Sequence, residues 1–231
     1  MPLVILPGLL CDSRMFGGQI EAFDAQVIDG FYGRASRIEA MAAYALERMP
    51  DTCSLLGHSM GARVALEVWR AAPGRVSRIA LADTGVHAVR PGEADKRYRL
   101  LDLGRDKGVE ALVDEWLPPM MGRAHQPGSA LYGQLHKMAC AAGLETFAVQ
   151  IEALLHRPEA EPLLTTIDRP AFAIGGREDT WSPVDQHEAI AARIPGCQLR
   201  IIENAGHMAP VEQPEKFNEV IREWLAWPLR I

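Results

Sequence analysis

Short runs that are apolar at nearly every position alternate along the chain with segments whose apolar residues recur at helical spacing. The runs fall at residues 3–6, 25–28, 54–56, 78–82, 171–174 and 198–202, each bounded by turn-forming residues. A strand apolar on both faces is buried on both faces, which is the pattern of a parallel sheet covered by helices. The intervening segments 38–49, 60–71, 183–193 and 214–224 carry the helical period. The second of these, with Ala62, Val64, Ala65, Leu66, Val68 and Trp69 and few polar positions, reads as a central helix packed closely on the sheet.

The alternation stops between residues 86 and 168, where only helical periods remain. Leu144, Phe147, Ala148, Ile151, Leu154 and Leu155 stand at i, i+3, i+4, i+7, i+10 and i+11, one face of a helix. Pro118-Pro119 and Pro127-Gly128 punctuate the stretch. The expected fold is therefore α/β: a doubly wound, mostly parallel sheet of about six strands with an inserted helical lid. The core would comprise residues 1–85 and 169–231, and the cap residues 86–168. At 231 residues the chain is long enough to form such a core.

The string Gly57-His58-Ser59-Met60-Gly61 lies directly between the third apolar run and the most apolar helical segment. A nucleophile elbow needs that arrangement: a sharp strand-to-helix turn strains the serine backbone, and glycines two residues to either side let strand and helix approach. The hydroxyl then stands clear at the carboxyl edge of the sheet, at a helix N-terminus whose free N–H groups favour a developing oxyanion. G-x-S-x-G alone is a weak signal, and its strand-to-helix context makes it a strong one.

A serine hydroxyl requires a base, and the base an orienting carboxylate. Of seven histidines, His207 sits in the loop after the last strand, at the same sheet edge as Ser59. Asp179 follows the fifth strand; Asp83, after the fourth, and Glu178 are the competing carboxylates. The chain order Ser59, Asp179, His207 is that of the hydrolase elbow and favours Asp179. Leu6-Pro7-Gly8-Leu9-Leu10 follows the first strand. Gly8 lets the backbone turn inward, so the N–H of Leu9 joins that of Met60 as the expected oxyanion donors, Pro7 having none to offer.

Twenty-four Lys and Arg against thirty Asp and Glu give a net charge of −6, which disfavours a nucleic-acid partner. Basic residues gather between residues 90 and 107, but Glu93, Asp95, Asp102 and Asp106 interleave with them. That stretch reads first as a solvated helix face and second as an anion-attracting rim. The cysteines Cys11, Cys53, Cys140 and Cys197 show no metal-ligand or scaffold spacing, and no histidine pair has ligand spacing, so neither metal nor cofactor is expected. Cys11 reads as an inert buried thiol. Free thiols, no export-signal pattern and no long apolar run point to a cytoplasmic protein without a membrane partner. The oligomeric state stays open.

These residues resemble the α/β-hydrolase superfamily over nearly the whole chain: the Pro7-Gly8 loop, the elbow at Ser59, the helical insertion, then Asp179 and His207. The compact core with one insertion is similar to the branch holding carboxylesterases, the pimeloyl-carrier-protein methyl ester esterase and the 3-oxoadipate enol-lactonase, a branch that also contains C–C bond hydrolases. The resemblance implies a cofactor-free serine hydrolase of a small carboxylic ester or lactone. C–C cleavage of a diketone-like substrate is the alternative, and a non-catalytic ligand-binding module a distant third. Three departures stand out. Pro7-Gly8 replaces the usual His-Gly of the oxyanion loop, residues 29–34 (DGFYGR) replace an Arg-Gly-His-Gly-like loop, and the sequence starts on the oxyanion-loop strand, so a small sheet is expected. Met60, Trp116, Met120, Met121, Phe147 and Leu154 are candidates to line an acyl pocket, and Trp181 to pack the acid loop.

Overall fold

The computed structural model describes residues 1–229. Six parallel strands form one sheet: β1 (Leu3–Leu6), β2 (Gln26–Val27), β3 (Cys53–His58), β4 (Val76–Ala82), β5 (Ala171–Gly176) and β6 (Gln198–Ile202), in the spatial order β2-β1-β3-β4-β5-β6. Along each central strand successive residues enter opposite cores. Leu3, Ile5, Leu56, Ala80 and Phe172 belong to one, and Val4, Leu6, Leu55, Ile79 and Ala173 to the other. That alternation, in central strands buried at every position but Arg78, is what a sheet covered on both faces requires.

The helices are α1 (Gly17–Phe23), α2 (Ile38–Arg48), α3 (Met60–Ala71), α4 (Glu93–Lys107), α5 (Val109–Trp116), α6 (Ala130–Ala142), α7 (Leu144–Leu155), α8 (Glu161–Leu164), α9 (Val184–Arg193), α10 (Ala209–Glu212) and α11 (Pro214–Ala226). Helices α2, α3 and α9 bury Met41, Leu66 and Ile190 in one core, and α11 buries Phe217, Ile221 and Trp224 in the other. Everything regular between β4 and β5 is helical, from α4 to α8 with two intervening 3-10 turns. No single helix among the described residues is long and apolar enough to cross a membrane.

Three local differences from the sequence pattern have physical causes. The edge strand β2 pairs over two residues only, Gln26 with Val4 and Val27 with Ile5, because the chain turns at Asp24 (φ 50°) and again at Gly30 (φ 86°). Helix α1 escapes the pattern because it opens on Gly17-Gly18, poor helix formers. It is held by tertiary bonds from Gln19 to the Pro210 carbonyl (3.1 Å) and Asn218 (2.9 Å). Strand β3 extends through His58, so the elbow begins with no intervening loop.

Strand order reverses at β1, with β2 on one side and β3 on the other. A crevice opens at the carboxyl ends of strands at such a reversal, the usual place for a ligand in an open α/β sheet. The loops after β1 and β3 flank it.

Candidate active site

Ser59 occupies the single residue between β3 and α3 at φ 54°, ψ −118°. A non-glycine residue there costs on the order of 1–3 kcal/mol and persists only if its surroundings fix it. They do: its N–H donates to the Ala82 carbonyl at 2.8 Å, and its carbonyl accepts from Thr84 Oγ1 at 3.0 Å. The flanking glycines are sterically required. A Cβ on Gly61 would lie 2.0 Å from the Leu6 carbonyl oxygen, and one on Gly57 would lie 2.4 Å from Ala62 Cα.

Ser59 Oγ stands 2.8 Å from His207 Nε2, and His207 Nδ1 stands 2.7 Å from Asp179 Oδ2. The second oxygen of Asp179 accepts from the N–H groups of Trp181 (2.8 Å) and Ser182 (2.9 Å). Burial alone would raise the Asp179 carboxyl. The adjoining His207, by charge and hydrogen bond, and the two N–H groups outweigh it and hold the carboxyl below the usual range. An ionised carboxylate fixes the imidazole with Nδ1 protonated and Nε2 facing the serine.

The structure thus gathers Ser59, Asp179 and His207, and sets the two competing carboxylates apart. Glu178 Oε2 accepts from the Arg123 N–H at 2.7 Å. Asp83 is fully buried behind the site and accepts from the Gly176 N–H at 2.9 Å. Burial, and then the charge of Asp179, hold its carboxyl well above the usual range, so the proton stays on Asp83 while Asp179 is ionised.

The loop after β1 packs against the elbow so closely that a Cβ on Gly8 would lie 3.0 Å from Ser59 Cβ. Tyr32 fastens the loop by donating from its hydroxyl to the Pro7 carbonyl at 2.8 Å, and the Leu10 N–H donates to Gln150 Oε1 of α7 at 2.9 Å. Tyr32 comes from the 29–34 segment that departs from the superfamily pattern, which here serves as a brace. Leu9 and Met60 both line the cavity in front of Ser59.

That cavity measures about 440 Å³ and is walled by Met60, Trp116, Met120, Phe147 and Leu154. Met121, the remaining acyl-pocket candidate, faces a separate hollow beside Pro118 and Glu178. Trp181 lines the cavity and is 38% exposed, and it is its backbone N–H that braces the acid loop. Cys11 is buried, its thiol pushed up to about 12 first by burial and then by Asp12, which leaves it a poor nucleophile.

Two residues support the site without a motif that gives their role, His58 at a variable position of the elbow and Glu212 after the histidine loop. His58 Nε2 donates to the His207 carbonyl at 2.8 Å, and burial, followed by the nearby His207, lowers its own value to about 3, so the ring is neutral. Glu212 accepts from the N–H groups of Gly122 (2.7 Å), Gly206 (3.0 Å) and Met208 (3.1 Å), clasping the histidine loop to residues after α5. A carboxylate five residues after the candidate base His207 is the only sequence signal Glu212 offers.

The chain belongs to the alpha/beta hydrolase family, whose match runs over residues 4–220. It is 25% identical to a protein provisionally named carbamate hydrolase RutD from Pseudomonas savastanoi pv. phaseolicola, across 96% of this chain and 93% of that one. It is 28% identical to the 2-hydroxy-6-oxononadienedioate/2-hydroxy-6-oxononatrienedioate hydrolase of Klebsiella pneumoniae subsp. pneumoniae, across 76% of this chain and 63% of that one. A thermophilic esterase from Thermogutta terrifontis superposes with a TM-score of 0.85 at 27% identity, covering 97% of this chain and 89% of the other.

Proposed function

We propose that this hydrolase is a serine enzyme that cleaves a small carboxylic ester or lactone through an acyl-enzyme on Ser59. The observation that carries the reading is the unbroken relay from Ser59 Oγ to His207 Nε2 at 2.8 Å and from His207 Nδ1 to Asp179 at 2.7 Å. His207 takes the serine proton as Oγ attacks the carbonyl and returns it to the leaving oxygen; Asp179 holds the imidazolium that forms between these steps. The N–H groups of Leu9 and Met60 receive the oxyanion, where one lost donor typically costs about 10²- to 10³-fold in kcat. Water, deprotonated by His207, then releases the acid.

The esterase similarity favours an ester as substrate. The relative named for a dienedioate supports C–C bond cleavage as a second reading, with the same relay and a carbanion as leaving group. The test is hydrolysis of p-nitrophenyl esters from acetate to decanoate by the wild type and Ser59→Ala, beside a chromogenic ring-cleavage diketone. Ester turnover abolished in the variant supports the proposal. Turnover of the diketone alone would move the protein to the second reading, and ester turnover unchanged in Ser59→Ala would refute both.

A further inference from the structure

The cavity in front of Ser59 has a mixed wall. Besides the apolar residues already named, it is lined by Arg63, Arg90, Lys96, Arg97 and Arg157. Glu93 is the one carboxylate among its lining residues. The solvated-face reading of the 90–107 stretch therefore holds for part of it only, since Arg90, Lys96 and Arg97 turn to the cavity.

Glu93 is fully occupied. Its two oxygens accept from Arg157 at 2.6 and 2.8 Å, and Oε1 also accepts from Arg97 at 2.9 and 3.1 Å. One carboxylate thus serves two guanidinium groups. Arg63 is left over. It is 7% exposed, and its single hydrogen bond among the described residues runs from Nη2 to the His87 carbonyl at 3.0 Å. Among the described residues its Nε and Nη1 donors have no partner, and the side chain lines the cavity, where an anion would give them charge-assisted hydrogen bonds. The surroundings register that imbalance: burial, then Arg157, pushes Arg63 down to about 9, and burial with Arg63 and Arg90 pushes His87 down to about 4.

Arg63 lies in the first turn of α3, four residues after Ser59, and lines the same cavity. The planar guanidinium fork of Arg63 matches the two oxygens of a carboxylate.

We infer that Arg63 is the carboxylate-binding subsite of this enzyme, so that its substrates carry a free carboxylate at the far end of the acyl chain from the scissile carbonyl. The inference rests on the serine-hydrolase reading and narrows its substrate class to esters or lactones of dicarboxylic acids. The remaining donors of Arg63 grip the carboxylate while the apolar wall holds the intervening methylenes against Ser59.

The test is protection of Ser59 from a fluorophosphonate probe by two non-hydrolysable methyl ketones. One is 6-oxoheptanoate, in which the ketone replaces the ester carbonyl and a carboxylate lies four methylenes away; the other is its uncharged carboxamide. The carboxylate is expected to protect at a concentration lower by about 30-fold or more in the wild type, the usual effect of a buried charge pair. The difference should collapse toward parity in Arg63→Gln. Arg63→Lys, which keeps the charge but loses the fork, should retain part of it and serves if the first variant does not fold. Equal protection by the two ketones, no protection by the carboxylate, or an unchanged preference in Arg63→Gln would overturn the inference, while labelling of Ser59 would leave the serine reading standing. Failure of the probe to label Ser59 would instead sink the serine reading, and the inference with it.

Discussion

His58, the residue immediately before Ser59, donates a hydrogen bond from Nε2 to the main-chain carbonyl of His207 at 2.8 Å. The elbow therefore carries the proposed nucleophile and also a strut that sets the height of the loop bearing the proposed base. The strut is held by its surroundings: His58 is fully buried and in an edge contact with Phe16, and its hydrogen bond to His207 is the one its ring makes among the described residues.

Removing the strut should be felt in the chemical step. His58→Ala leaves the His207 carbonyl unpaired in a buried place, and a displacement of about 1 Å at such a site can cost up to 10²-fold in rate. The expected result is a kcat lower by roughly 10- to 100-fold with KM little changed, partly restored by His58→Gln, whose amide can donate to the same carbonyl. Steady-state kinetics on the best ester decides it, and an unchanged kcat in His58→Ala would make the bond incidental.

Glu212 performs the matching task on the far side of the loop. Glu212→Ala strands three buried N–H groups, those of Gly122, Gly206 and Met208, at a cost of about 2–4 kcal/mol. For a chain of this size that corresponds to a melting temperature lower by roughly 5–15 °C. Glu212→Gln, which keeps an acceptor for two of the three donors, should lose about half as much. Calorimetry of the two variants checks the order, and equal melting temperatures for Ala and Gln would show that the acceptors are not what matters.

The legibility of this site in the sequence divides along a physical line. Ser59, Asp179 and His207 could be read because each follows a strand that topology delivers to one sheet edge, so chain order and strand position suffice. Strands β1, β4 and β5 were legible because burial on both faces leaves nearly continuous apolar runs; β6, a half-buried edge strand, shows instead Leu199 and Ile201 alternating with Gln198 and Arg200. His58, Glu212 and Tyr32 act through contacts between segments 25–149 residues apart, or through backbone atoms that have no side-chain signature. Arg63 was hidden for another reason. It sits inside the apolar helix it interrupts, and its value lies in what Glu93, Arg97 and Arg157 leave it without. Helix α1 was missed because tertiary bonds override the local preference of Gly17-Gly18.

The elbow glycines make a sharper steric case. Gly61→Ala would place a methyl group 2.0 Å from the Leu6 carbonyl oxygen and 2.6 Å from that of Pro7, both backbone atoms that cannot rotate away. Helix α3 would have to move off β1, taking Ser59 with it. A stability loss of about 3 kcal/mol or more is expected, at or beyond the usual upper end of overpacking costs, together with a fall in kcat. Urea unfolding and ester turnover together test this. A variant of native stability would mean that α3 rides more loosely on the sheet than its contacts imply.

The proton on Asp83 leads to a pH-dependent outcome with a definite sign. In the folded chain burial and Asp179 raise its carboxyl well above the ordinary value of 3.8, so it stays protonated where the unfolded chain has already ionised. Above 3.8 the unfolded state therefore gains stability relative to the folded one as pH rises, until the folded value is reached. Asp83→Asn removes the titration and with it this penalty. Any fixed cost of seating the amide beside His58, whose Nε2 lies 3.6 Å from Asp83 Oδ2, displaces the curve without tilting it. The stability of Asp83→Asn minus that of the wild type should thus increase as pH rises from the ordinary value of 3.8 toward the raised folded one, as measured by urea denaturation at fixed ionic strength. A difference independent of pH over that range would mean that Asp83 is ionised in the fold, and that two negative carboxylates share the space behind His207.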